Sequence, residues 1–256
     1  FVTKGFVVRA ADMKGVAVRF NGVAHDAGVA GRDEVEKRHF GIAPSIAFGL
    51  GTDTRTTLSY YHVTYDDMPD YGHPFDPSTG APLKVDRDNF YGLLARDKDN
   101  IQGDILTAKI EHDIDDNTKI CNQLRFDRTL KDYIVTKPEY TAGAATVTRG
   151  SRSRDSADEI LINQTDATFH IDGETVKHDV VVGLELAREE SHNNARTIPA
   201  ATAANLNNPN PNDPYPGSIV TGPNATASTS YSAAIYAFDT IKLGDKFEVS
   251  GGLRLD

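Results

Sequence analysis

Through several separate stretches of this chain, apolar and polar residues alternate one for one, and the connections between these stretches are by turns short and long. Gly15 to Ala24 (GVAVRFNGVA) sets Val16, Val18 and Phe20 against Ala17, Arg19 and Asn21. Phe40 to Phe48 sets Phe40, Ile42, Ile46 and Phe48 against Gly41, Ala43, Ser45 and Ala47. His178 to Glu189 sets Val180, Val182, Leu184 and Leu186 against Gly183, Glu185 and Ala187. Phe247 to Asp256 sets Phe247, Val249, Leu253 and Leu255 against Glu248, Ser250, Arg254 and Asp256. A period of two belongs to strands with one apolar and one polar face. Pro44 falls on an apolar face and, lacking an N–H, marks a local irregularity in the ladder. Thr54 to Asp66, Ile101 to His112, Thr118 to Arg128, Glu159 to Phe169, Tyr231 to Ile241 and Phe1 to Arg9 alternate less cleanly. The total is about ten strands.

The short connections are Ala10 to Lys14, Gly49 to Thr54, Asp113 to Asn117, Asp172 to Gly173 and Gly244 to Asp245. Their Asx and Gly residues suit the positive φ values of hairpin turns. The long ones are His25 to Lys37, Asp67 to about Asp99, Thr136 to about Asp158 and Ser191 to about Ser228. The last is rich in Asn, Pro and Ala and reads as mobile. The two kinds strictly alternate, which places every long loop at one end of an antiparallel array. Alternation alone fits a soluble sandwich as well as a barrel. A sandwich has no physical reason to keep its long loops at one end, whereas outer-membrane barrels do. The reading is an all-β fold, an antiparallel transmembrane β-barrel. Its polar face (Arg19, Lys109, Glu111, Gln123, Arg125, Asp127, Glu185, Glu248 and Arg254) is then the lumen wall, or a surface against a plug.

Composition closes other routes. No run approaches the roughly 18 apolar residues of a membrane helix, which leaves a barrel open. A net charge of -10 argues against nucleic acid, whose binding rests on neutralising phosphates. Cys121 is the single cysteine, so neither an internal disulfide nor a Cys-based zinc site is available. The acidic run Asp113 to Asn117 starts like a calcium loop, but Thr118 stands where that loop needs Gly and Leu124 where it needs Glu. The eight histidines show no metal-ligand spacing. No Ser lies in a G-x-S-x-G elbow, and Ser59 and His62 fall on opposite faces of one strand. No cofactor, metal site or catalytic residue is expected. Phe1 opens inside a β-like run and Asp256 closes a patterned strand, so the expectation is an internal piece of a longer protein.

Several segments, in order, resemble the TonB-dependent outer-membrane receptors for ferric siderophores, most of all the catecholate type. They are Gly41 to Thr52 (GIAPSIAFGLGT), Leu58 to His62 (LSYYH), Met68 to Gly72 (MPDYG), Asn89 to Gly92 (NFYG), Glu111 to Asn117 (EHDIDDN), Ala234 to Thr240 (AIYAFDT) and Gly251 to Asp256 (GGLRLD). The resemblance implies part of a barrel of roughly 22 strands, with short periplasmic turns and long extracellular loops. Residues 1–256 would then lie in the barrel domain, with the plug and the C-terminal strands absent. It also implies a multi-pass outer-membrane protein of a Gram-negative bacterium that takes up a ferric siderophore. The TonB complex would be engaged through the missing N-terminal part, with lipid and lipopolysaccharide around the wall. A ferric tris-catecholate is an anion with aromatic faces, which aromatic side chains can stack on and arginines attract. On that ground the candidate ligand residues are Tyr71, His73, Phe75, Phe90, Tyr91 and Arg96 in one long loop, and Arg149, Arg152 and Arg154 in the next. Three alternatives remain at this point: another siderophore such as a hydroxamate, a soluble β-rich adhesin or binding module, and a barrel enzyme.

Overall fold

In the computed structural model, residues 2–10, 15–244 and 246–256 are described. Ten strands follow one another as neighbours in a single antiparallel sheet: β1 (Val2–Ala10), β2 (Ala17–Val29), β3 (Arg32–Phe48), β4 (Thr54–Asp67), β5 (Lys98–Asp115), β6 (Thr118–Tyr140), β7 (Thr146–Asp172), β8 (Val176–Thr197), β10 (Val220–Leu243) and β11 (Phe247–Leu255). A two-residue strand, β9 (Ala204–Asn205), pairs with the outer end of β7. This is an up-and-down meander in which every connection joins adjacent strands. The alternation read in the sequence therefore becomes two opposite ends of one sheet.

Register rows running across the strands separate the two faces. Leu106, Phe126 and Leu161 share a row, as do Ile46, Leu58, Ala108 and Leu124. Leu184 faces Ile235, which faces Leu255. Most of these side chains stand exposed, Leu106 at 55% and Ile235 at 58%, while Ile46 and Ala108 are half-buried. On β5 the apolar band runs from Leu106 to Ile114, close to the roughly 9–11 residues a tilted strand needs to cross a bilayer. Just above it lies a charged row of His62, Asp104, Arg128, Glu159 and Glu190. The opposite face carries the polar residues expected of a lumen, tied pairwise: Lys109 to Glu111, Arg125 to Asp127, Arg254 to Glu185. The lumenal wall is self-compensating rather than strongly charged.

Pro44 acts as its chemistry dictates. Pairing between β3 and β4 breaks off after Ile42–His62 and resumes at Ser45–Ser59 in unchanged register. The turn after β3 uses Gly49 at φ 71°, where an added Cβ would collide with the Thr54 carbonyl. The expected turn at 10–14 lies outside the described residues beyond Ala10, as does Asp245 of the last turn and Phe1 of the first strand.

Two of the four expected long loops are strands instead. β2 and β3 continue to a tight turn at 30–31, with Gly31 at φ 69°. β6 and β7 form a continuous ribbon up to the connection at 141–145. β7 is 27 residues long, far beyond what the bilayer requires. Above the membrane both faces of a strand meet water, so the two-residue hydropathy signal disappears while backbone pairing continues. The genuine loops are 68–97 and 198–219, and the second is not loose.

Candidate functional site

The two long loops and the projecting β6–β7 ribbon fold together into one cap. Its centre is Tyr91, Val147 and Ala204, each at most 1% exposed. Arg149 holds it. Its guanidinium donates to the carbonyls of Tyr91 (2.9 Å), Thr202 (3.3 Å) and Asn210 (2.7 Å) and to the Asp213 carboxylate (2.7 Å). One side chain on β7 thus gathers both loops. Further bonds run from Leu94 N to the Pro211 carbonyl, from Leu206 N to the Ala145 carbonyl and from the Tyr91 hydroxyl to the Leu206 carbonyl. Burial pushes the Tyr91 phenol above its ordinary pKa. This docking gives the Asn- and Pro-rich loop its course: the carbonyls of Thr202 and Asn210 accept from Arg149.

Four of the residues expected to meet ligand are therefore inside the cap. Phe90, Tyr91, Arg96 and Arg149 are 4%, 1%, 4% and 2% exposed. Arg96 pairs with Asp97, donates to Thr136 and lies over the Tyr215 ring. His73 bonds to Arg32 of the β2–β3 hairpin. Tyr71 and Phe75 remain open at the surface. The basic cluster Arg149, Arg152 and Arg154 is split by strand geometry: Arg149 points into the cap, while Arg152 and Arg154 lie exposed on the other face of β7. That face continues the lumenal side of the wall.

The register adds a row that the sequence reading missed. His25 on β2 faces His39 on β3, which faces Tyr65 on β4, then Ile101 on β5 and Lys131 on β6. The imidazoles stack with centroids 5.3 Å apart, and the Tyr65 ring lies 4.2 Å from His39. One step outward, Asp67 accepts from Lys37 (2.8 Å) and lies 3.1 Å from His39 Nε2. Asp67 faces Asp99, whose carboxyl burial raises above the usual range, with the Asp67 charge adding to the shift. Lys131 sits over the Tyr133 ring, and Tyr133 faces Arg154. Rings and cations thus line the lumenal mouth from β2 to β7. The sequence signal for them was slight: histidines and tyrosines at alternate positions of strands whose register was unknown. Among the described residues no cluster of side chains is arranged to hold a metal ion.

An antiparallel meander with an outward apolar band, a charged rim and a paired polar lumen is the wall of an outer-membrane β-barrel. Residues 43–256 match the family model described as TonB dependent receptor-like, beta-barrel. The chain belongs to the TonB-dependent receptor family and is part of the barrel of an outer-membrane protein. It is 38% identical to the catecholate siderophore receptor Fiu of Escherichia coli K12 over 94% of this chain and 34% of that protein. It is 33% identical to the probable TonB-dependent receptor BfrD of Bordetella pertussis, over 94% of this chain and 36% of the relative. The crystal structure of the open form of Fiu, a ferric-catecholate import receptor, superposes with a TM-score of 0.88, at 33% identity over 98% of this chain and 42% of that one. The siderophore receptor PiuA of Acinetobacter baumannii superposes with a TM-score of 0.87, at 29% identity over 98% of this chain and 40% of that one. The chain spans about a third of the length of the curated relatives it matches.

Proposed function

We propose that this wall belongs to a receptor that takes up a ferric siderophore of the catecholate class. The observation that carries the reading is the lumenal row of rings and cations: His25, His39, Tyr65, Lys131 and Tyr133, continued by Arg154 and Arg152. Catechol rings stack on such faces, and the anionic complex is drawn by the cations beside them. Tyr71 and Phe75, exposed on loop 68–97, make first contact from outside. The likeness to Fiu, a catecholate siderophore receptor, supports that class, and the likeness to the siderophore receptor PiuA supports a siderophore.

No bond is made or broken in this mechanism. The work is selective binding followed by release through a conformational change, and release requires the two states to differ in affinity. In this reading residues 1–256 form part of the barrel domain, and the plug that fills it and engages the TonB complex comes from the rest of the receptor. Lipid and lipopolysaccharide surround the apolar band and charged rim. The test is iron-limited growth of a receptor-deleted bacterium carrying the full-length gene and fed one siderophore at a time. Growth on catecholates is expected. Growth on hydroxamates alone would overturn the substrate class.

A further inference from the structure

Both long loops dock on the same face of the β6–β7 ribbon. Ladder pairing of β5 with β6 stops at Lys98–Ile134, and that of β8 with β7 at Asn193–Ser156. Beyond those rows β6 and β7 pair with each other up to Tyr140–Val147, and only Thr146 and Val147 gain a further strand, β9. A two-stranded ribbon by itself is marginal in water. The cap supports this one from behind. Ile134, Thr136, Val147 and Arg149 are at most 3% exposed. They keep the parity of Phe126 and Leu161 in the apolar band, so the face that meets lipid lower down meets the cap above it. Loop 68–97 grips β6, where the Asp97 carboxylate accepts from Thr136 N at 2.9 Å. Loop 198–219 grips β7 through Arg149.

The opposite face of the ribbon continues the lumenal wall. Its rows are Tyr133–Arg154, Val135–Arg152, Lys137–Gly150 and Glu139–Thr148, and of these residues Val135 alone is buried. Lys137 is paired with Glu139 at 2.7 Å, and Arg154 donates to Ser156 with Asp158 4.0 Å away. Arg152 is exposed and has no hydrogen-bond or ion-pair partner among the described residues. A net charge of -10 does nothing to draw an anion, so attraction must come from local cations of this kind. We propose that this face is an outer subsite that reads the charge of the ferric complex. Arg152 is its free cation, and Arg149 on the back face is the positioning residue that holds the ribbon over the mouth. The deeper row of His25, His39 and Tyr65 reads rings instead. The two loops are then a buttress for the ribbon rather than a lid over the ligand. This role rests on the catecholate reading and deepens it, since an iron(III) tris-catecholate is a trianion and an iron(III) trihydroxamate is neutral.

The test measures equilibrium binding of an iron-loaded synthetic tris-catecholate chelator to the full-length receptor in outer-membrane vesicles, at low salt and at about 1 M salt. Arg152→Gln should weaken binding about 1.5- to 5-fold at low salt, the range of one exposed ion pair, and Arg152→Glu should weaken it further. Both losses should close at about 1 M salt, where the screening length falls to about 3 Å; a loss through misfolding would persist. Arg149→Met should also weaken binding, and Arg152→Gln should add little on that background, because the cation is no longer held in place. Wild-type affinity in Arg152→Glu, or a loss that salt does not relieve, would overturn the charge-reading subsite. Full affinity in Arg149→Met, or losses that simply add, would overturn the buttress. A receptor that binds an iron trihydroxamate and no tris-catecholate would sink the substrate reading and the subsite together, whereas trianion binding that ignores Arg152 strikes the subsite alone.

Discussion

Replacing Arg149 by Met keeps much of the side-chain volume and removes the guanidinium that hydrogen-bonds to both long loops. The variant leaves the carbonyls of Tyr91, Thr202 and Asn210 without this donor and takes the cation from Asp213, which keeps its bond from Asn210 Nδ2. Arg149 is 2% exposed, so water does not replace the bonds while the cap stays closed. Removing one partner of a buried pair costs about 3–5 kcal/mol, in line with about 1–3 kcal/mol for each buried group left unsatisfied. The cap can escape most of that cost by opening, so the loss appears as local undocking rather than failed assembly. At about 1.4 kcal/mol per tenfold, opening becomes roughly 100- to 4,000-fold more frequent. Hydrogen exchange on the full-length receptor reads this directly. Peptides carrying Leu94 and Leu206, whose amides bond to Pro211 and Ala145, should lose protection by that factor. Strand peptides around Leu106 in the apolar band should not change. Arg149→Lys retains the charge for Asp213 but not the fork, and should fall between. Exchange at Leu94 and Leu206 within threefold of wild type would refute the assignment of Arg149 as the tie.

Other perturbations probe other levels. Leu184→Arg puts a charge in the middle of the outward band and should cost about 2–4 kcal/mol, seen as loss of the heat-modifiable folded form from the outer-membrane fraction; normal assembly would remove the lipid-facing assignment. Tyr65→Ala removes one ring of the lumenal row and should weaken ferric catecholate binding by about 2- to 10-fold, with a hydroxamate complex unaffected; equal losses for both would show that the row does not read aromatic rings. Asp99 has its folded pKa raised, chiefly by burial, so its contribution to stability is present below the unfolded carboxylate pKa and is lost as pH rises through the folded value. Asp99→Asn should therefore be more stable than wild type at pH 7, with the difference closing in acid; a pH-independent difference in thermal midpoint would contradict this. Gly183→Val would drive a side chain into the Tyr236 ring and part its hydroxyl from Asp166, measurable as a fall in the urea midpoint of the folded barrel.

How much was legible depended on range. The membrane-embedded segments announced themselves because lipid on one side and lumen on the other impose a period of two on neighbouring residues. Val180, Val182, Leu184 and Leu186 needed no partner strand to be recognised. Gly49 and Pro44 were equally local, one through its φ and the other through its missing N–H. Above the membrane the same backbone continued without that signal. His25 to Lys37 and most of Thr136 to Asp158 therefore read as loops although they pair as strands.

The roles of individual side chains were further out of reach. Arg149, Arg152 and Arg154 look alike on paper. Their separation into one buried tie and two lumenal cations depends on strand parity and on two loops arriving from elsewhere in the chain. The row of His25, His39 and Tyr65 exists only because three strands share a register, and no single segment encodes that. By itself the sequence determined the kind of wall, its orientation and its resemblance to siderophore receptors, because those rest on periodicity and on order along the chain. Tertiary structure alone decided which rings and cations meet, because contacts between residues 14 to 115 positions apart are set by pairing and docking, not by neighbours.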